Sequence, residues 1–154
     1  MGRVFFNTRL NIHKLTADYT CLETDSGKLF LVNPAATTAI TLPTIGTDTG
    51  EAYEGWNCTI MVTEDAAATA GSMGGIVNVD FGSGSLVIGQ IGASSNVAGD
   101  LAVSGDDFVN FTAAATPGDY IDVFTDGTNW YVQGMATDST AGTGDVLFNS
   151  AAAS

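Results

Sequence analysis

The stretch "GDYIDVFTDGTNWYVQGMA", residues 118–136, decides how the rest of this chain is read. Two alternating runs flank Asp126-Gly127. That dipeptide favours a tight hairpin turn, whose two central residues both take positive φ. A two-residue turn there pairs Thr125 with Thr128, Val123 with Trp130 and Ile121 with Val132. The apolar partners then share one face, and Asp122 and Tyr131 share the other, as the period of two in a strand requires. The segment predicts a half-buried hairpin, and it holds no catalytic residue.

Outward from the hairpin the same grammar repeats. Short alternating or apolar runs are broken by Gly, Pro, Asp and Asn: residues 19–23, 28–33, 38–43, 56–64, 75–81, 85–92, 101–105 and 107–113. In residues 56–64, Trp56, Cys58, Ile60 and Val62 alternate on one face. Helical periodicity is confined to "TEDAAATA", 63–70, with Thr63 as its cap. The expected fold is all-β with little helix: an antiparallel sandwich or flattened, jelly-roll-like barrel of about ten short strands. The body spans 18–136. A Gly/Ala-rich tail, 137–154, offers one more strand at 145–149, which adds either to the body or to a neighbour's sheet edge.

With 154 residues the chain is one domain by length, and it buries roughly 70% of its unfolded surface. Its net charge is −13, which repels phosphate and argues against nucleic acid as the main partner. No apolar run reaches the ~20 residues of a membrane helix, and no secretory signal is legible at the start. The spacing of Cys21 and Cys58 fits no metal pattern; it leaves a disulfide open, with two buried thiols as the default.

The charge distribution says more than its sum. All four cationic residues, Arg3, Arg9, Lys14 and Lys28, lie in the first 28 positions, and the first acid is Asp18. Residues 1–17 therefore read as a basic attachment arm, with Arg3, Phe5, Phe6, Arg9, Leu10, Ile12 and Lys14 as the candidate partner-binding residues. Burying Phe5 and Phe6 is worth on the order of 3 to 6 kcal/mol before ordering costs. Exposed ion pairs add only about 0 to 1 kcal/mol each, so the apolar contribution should dominate.

Catalytic chemistry finds little to stand on. His13 is the sole histidine, and nothing near it in sequence orients it as a base. The acid pairs Glu64-Asp65, Asp106-Asp107 and Asp119 with Asp122 read as turn or edge acids rather than a glycosidase pair. Asp106, Asp107 and Asp126 lack the spacing of a calcium loop. The runs "GSMGG" and "GSGS" lack the Lys-Ser or Lys-Thr of a phosphate loop. Tyr53, Trp56, Trp130 and Tyr131 are the aromatics that a sugar could stack on, although the alternation turns Trp56 and Trp130 inward. No enzyme activity, cofactor or metal is expected.

"YTCLETDSGKLFLVNPAATTAITLP", 19–43, taken with "GDYIDVFTDGTNWYV", resembles a β-rich module of tailed-bacteriophage virion proteins. The resemblance spans roughly residues 17 to 134. It is closest to the small capsid decoration, or cement, proteins of cyanophages and marine phages, and the module also occurs in tail fibres. It implies a homotrimer on the outer surface of the virion, bound to the major capsid protein, with no catalytic site to carry over. The alternative it implies is a tail-fibre or receptor-binding module that contacts host-surface glycans.

Overall fold

The computed structural model describes residues 10–45, 53–63, 75–83, 86–94, 99–138 and 144–153. The expected helix at 63–70 lies outside these residues apart from Thr63. The described residues form twelve strands: β1 (Asn11–Leu15), β2 (Tyr19–Thr20), β3 (Lys28–Val32), β4 (Thr38–Thr41), β5 (Asn57–Val62), β6 (Val77–Asp80), β7 (Val87–Ala93), β8 (Asp100–Leu101), β9 (Phe108–Phe111), β10 (Tyr120–Thr125), β11 (Trp130–Ala136) and β12 (Val146–Asn149). A single 3₁₀ turn at Glu23–Asp25 is the one helical element among the described residues. The protein is all-β.

Two mixed sheets pack face to face. One has seven strands in the order β1-β3-β5-β10-β11-β7-β8, the other five in the order β12-β9-β6-β4-β2. The sandwich agrees with the sequence; antiparallel pairing throughout does not. Of the ten strand pairings, β1–β3, β3–β5, β7–β11, β2–β4 and β4–β6 are parallel. The reason lies in the chain path. From β1 to β7 each successive strand crosses to the opposite sheet, so strands adjacent in a sheet are two apart in sequence and run the same way. A parallel pair needs a crossover between its strands. Here the crossover to each next strand is made through the other sheet, as in a coil, and not by the hairpins of a jelly roll.

The hairpin expected around Asp126-Gly127 is present, formed by β10 and β11, with a different register. Thr125 pairs with Trp130, Val123 with Val132 and Ile121 with Gly134, a shift of two residues. The shift preserves which side chains face inward: Ile121, Val123, Trp130 and Val132 are all buried. The connection is the four residues 126–129 because the Asp126 carboxylate accepts the N–H groups of Thr128 and Asn129 at 2.8 and 2.7 Å. That side chain closes the turn, so only Gly127 adopts positive φ (87°) and Asp126 does not.

Between the sheets, Trp130 is fully buried, with edge-on contacts to Trp56 at 5.7 Å and Phe81 at 5.8 Å. Phe30, Ile40, Ile60, Val79, Ile91, Phe111 and Ile121 complete the centre of the core. Cys21 and Cys58 are buried free thiols. Burial in apolar surroundings pushes Cys21 up to about 12 and Cys58 well above its ordinary value, so both stay protonated and act as small apolar groups.

The segments read as arm and tail both contribute to the sandwich. β1 lies within residues 1–17 and pairs along its whole length with β3; Leu15 is buried, and His13 packs edge-on against Tyr19 at 4.8 Å. The strand foreseen at 145–149 is β12, and it joins the body beside β9. The chain beyond it crosses the outer face of the five-stranded sheet. There the Asn78 amide brackets residue 153, accepting from Ala153 N at 2.9 Å and donating to Ala153 O at 3.0 Å. Asn110 donates to Asn78 Oδ1 at 2.9 Å. Asn78 and Asn110 are buried beneath this strap.

Candidate functional site: the outer face of the seven-stranded sheet

No described residue lies across the outer face of the larger sheet, in contrast to the strapped face of the smaller one. The strand registers arrange its side chains in three rows. One holds Ile88, Tyr131, Phe124 and Asn57; the next holds Leu101, Gln90, Gln133, Asp122, Thr59, Leu29 and Ile12. The third holds Gly92, Met135, Tyr120, Met61, Leu31 and Lys14. Lys14 and Asp122 are the only charged side chains among these positions. A face this large and this poor in charge is unusual for a chain with 17 acids.

The face divides along the sheet. Over β1, β3 and β5 it is aliphatic: Ile12 is 52% exposed, and Leu29, Leu31 and Met61 are half-buried beside it. Leu10, 69% exposed, continues this surface beyond the start of β1. Over β10, β11 and β7 it is aromatic and polar. Phe124 and Tyr131 stack across the hairpin with ring centroids 5.1 Å apart and planes 11° from parallel. A cleft of about 560 Å³ opens beside them, lined by Ile88, Gln90, Gln133, Asp122 and Tyr120 with the stacked rings.

The side chains of this second half are held in place. The Tyr131 hydroxyl donates to Asp126 Oδ2 at 2.9 Å, and Thr59 Oγ1 donates to Asp122 Oδ1 at 2.5 Å. Main-chain donors from Asn129 and Thr128 hold the Asp126 carboxyl down at about 2, so it is an ionised acceptor at neutral pH. Donation of its hydroxyl to Asp126 raises Tyr131 above its ordinary value.

Of the seven candidate partner-binding residues, Leu10, Ile12 and Lys14 fall together at the β1 edge, all exposed, with the Ile12 and Lys14 side chains on the outer face. Arg3, Phe5, Phe6 and Arg9 lie outside the described residues. The partners of Ile12 on this face, Leu29, Leu31 and Met61, were not singled out from sequence. The signal was present: in "LFLV", 29–32, Leu29 and Leu31 alternate with Phe30 and Val32, which marks a strand with two apolar faces.

The acids serve a different purpose. Asp18, Asp25, Asp80, Asp100, Asp106, Asp119, Asp126 and Asp145 each accept a main-chain N–H, most of them in loops. Asp119 is buried, with Thr116 and Thr137 donating from both main chain and hydroxyl, whereas Asp122 points outward. These two therefore form no acid–base dyad. Asp106 caps its own turn through Val103 N at 2.8 Å; Glu64 and Asp65 lie outside the described residues. Among the described residues no group of three or more His, Cys, Asp or Glu is placed to hold a metal ion, and no helix is long and apolar enough to cross a membrane. Trp56 and Trp130 are in the core, as the alternation requires, whereas Tyr53 and Tyr131 are half-buried.

No family model and no curated protein matches this chain.

Proposed function

We propose that the protein is a non-enzymatic structural component of a virion. In this reading it decorates and stabilises a phage capsid by binding the major capsid protein shell from outside as an oligomer, a homotrimer by resemblance. The observation that carries the reading is the open aliphatic half of the large sheet, where Ile12, Leu29, Leu31 and Met61 adjoin Leu10 and Lys14; in sequence this edge follows directly on Arg3 and Arg9. Apolar contact supplies the adhesion there, and the cations steer approach to an acidic partner or an acidic neighbouring copy. The chain, at −13 overall, repels its own copies, so an oligomer needs such a patch to form.

Occupancy on purified shells tests this. Removing residues 1–9 leaves β1 intact, whereas cutting further removes buried Leu15 and bares the edge of β3. That deletion and the Leu10→Glu/Ile12→Glu pair, at positions more than half exposed, should each lower occupancy at least tenfold with the fold unchanged. Unchanged occupancy for both excludes this face from attachment. Sedimentation at micromolar concentration tests the oligomer separately.

A further inference from the structure

The aromatic half of the same face is built differently from an adhesive patch, and we propose that its cleft is a binding site for a neutral saccharide. A sugar ring offers two kinds of surface, an apolar C–H face and a rim of hydroxyls that both donate and accept. The cleft offers the counterpart of each. The Phe124–Tyr131 stack and Ile88 form an apolar wall, with Phe124 41% and Ile88 43% exposed. Beside it, in the next row, stand Gln90, Gln133 and Asp122. The two amides each bring a carbonyl and an NH₂ group, and the carboxylate brings acceptors only, a set that matches mixed hydroxyls. Neither glutamine amide is engaged by another described residue. At about 560 Å³ the cleft falls within the range of small-ligand sites.

Charge narrows the class of ligand. Among the described residues that line the cleft, Asp122 is the only charged side chain and none is a cation. The net charge of −13 adds to the repulsion of sulfated, sialylated or phosphorylated ligands. Pre-organisation favours binding as well. Tyr131 is tethered to Asp126 and Asp122 to Thr59, so little side-chain freedom is left to lose. The site lies on strands rather than loops. Four strand steps of about 4.8 Å separate β1 from β11, so a partner seated at the β1 edge leaves the rings of β11 open, and the two halves adjoin only where β5 pairs with β10.

The test uses the full chain on a printed array of neutral, sialylated and sulfated oligosaccharides, followed by calorimetry with the best neutral hit. Binding should fall on the neutral set. Phe124→Ala and Gln133→Ala, both at exposed positions, should each weaken it at least tenfold with the unfolding midpoint unchanged, while Leu10→Glu/Ile12→Glu leaves it intact. Absence of binding to every neutral saccharide at millimolar concentration overturns the proposal. So does preference for the anionic set, or binding that is indifferent to both cleft variants. None of these results bears on shell occupancy, which rests on the other half of the face.

Discussion

The two halves of the large sheet share one core and differ in what they show to solvent. Over β1, β3 and β5 the outer face is dominated by the aliphatics Ile12, Leu29, Leu31 and Met61, with Thr59 turned toward Asp122 at the boundary. Over β10, β11 and β7 it presents stacked rings, amides and a tethered carboxylate. Aliphatic surface recognises shape and area with little regard for orientation. Rings and amides with fixed positions recognise direction. One sheet can therefore carry an adhesive surface and a selective one without an extra domain.

The largest expected effects test whether the two halves are one folding unit. Phe30→Ala removes a fully buried ring beneath the aliphatic half, and Trp130→Ala one beneath the aromatic half. Each should lower stability by about 3 to 5 kcal/mol in chemical denaturation, within a single cooperative transition. Two separated transitions would break the picture of a common core.

Glycine chemistry separates the halves next. A Cβ at Gly89 lands on the Val132 carbonyl oxygen, and one at Gly134 stands 2.6 Å from the Tyr120 oxygen. No glycine occurs in β1, β3 or β5. Gly89→Ala should therefore push β7 from β11 and cost about 1 to 3 kcal/mol, with saccharide binding weakened and shell occupancy spared. Equal loss of both activities in a still-folded variant would show that the halves are coupled.

Acid dependence gives the smaller differences. Asp25 is buried near the start of β3. Burial raises its pKa, but the Leu22 N–H, the Lys28 ammonium and the Tyr19 hydroxyl outweigh that and hold it below the usual aspartate value. A lowered folded pKa means stability that is present above the unfolded value, near pH 4, and lost as pH falls through the folded one. Asp25→Asn should thus cost on the order of 1 to 3 kcal/mol at pH 7, with the deficit shrinking below about pH 4. Tyr131→Phe lies at the other extreme. It frees a half-buried ring from a bond to an exposed carboxylate, so the unfolding midpoint should hold while saccharide affinity declines modestly. A large stability loss in that variant would show that the stacked pair supports the fold itself.

Sequence made the strands and their faces legible because burial imposes a period of two whatever the neighbouring strand. Ile121, Val123, Trp130 and Val132 could be assigned inward even with the turn misplaced, since a shift of two keeps parity. The misplacement arose because an aspartate side chain can take over the turn closure that positive φ at Asp126 would otherwise supply. Strand partnership was not legible. Local spacing suggests hairpins, and nothing in a single strand records that its neighbour lies one coil away. β1 was hidden by its charges: Lys14 drew attention to the segment as an arm, although Ile12 and Lys14 alternate with His13 and Leu15. The cleft could not be found at all, because Ile88, Gln90, Phe124 and Gln133 come from three strands that only the pairing brings side by side.

The coil has a bearing on how the chain reaches this state. For β1 to β6, no strand neighbours the one before it in sequence, so none of these can zip onto its predecessor. Later in the chain, β7 pairs with β8 and β10 with β11, and the longer β10–β11 hairpin sits between β5 and β7. During synthesis β7 is made well before β11, the strand it lies against, and the sheet stays split until residues 130–136 emerge. Loop closure must then be completed over long separations, which slows folding. The clearest motif in the sequence is thus also the keystone, and partial chains that lack it hold two unfinished sheet edges open to each other's copies.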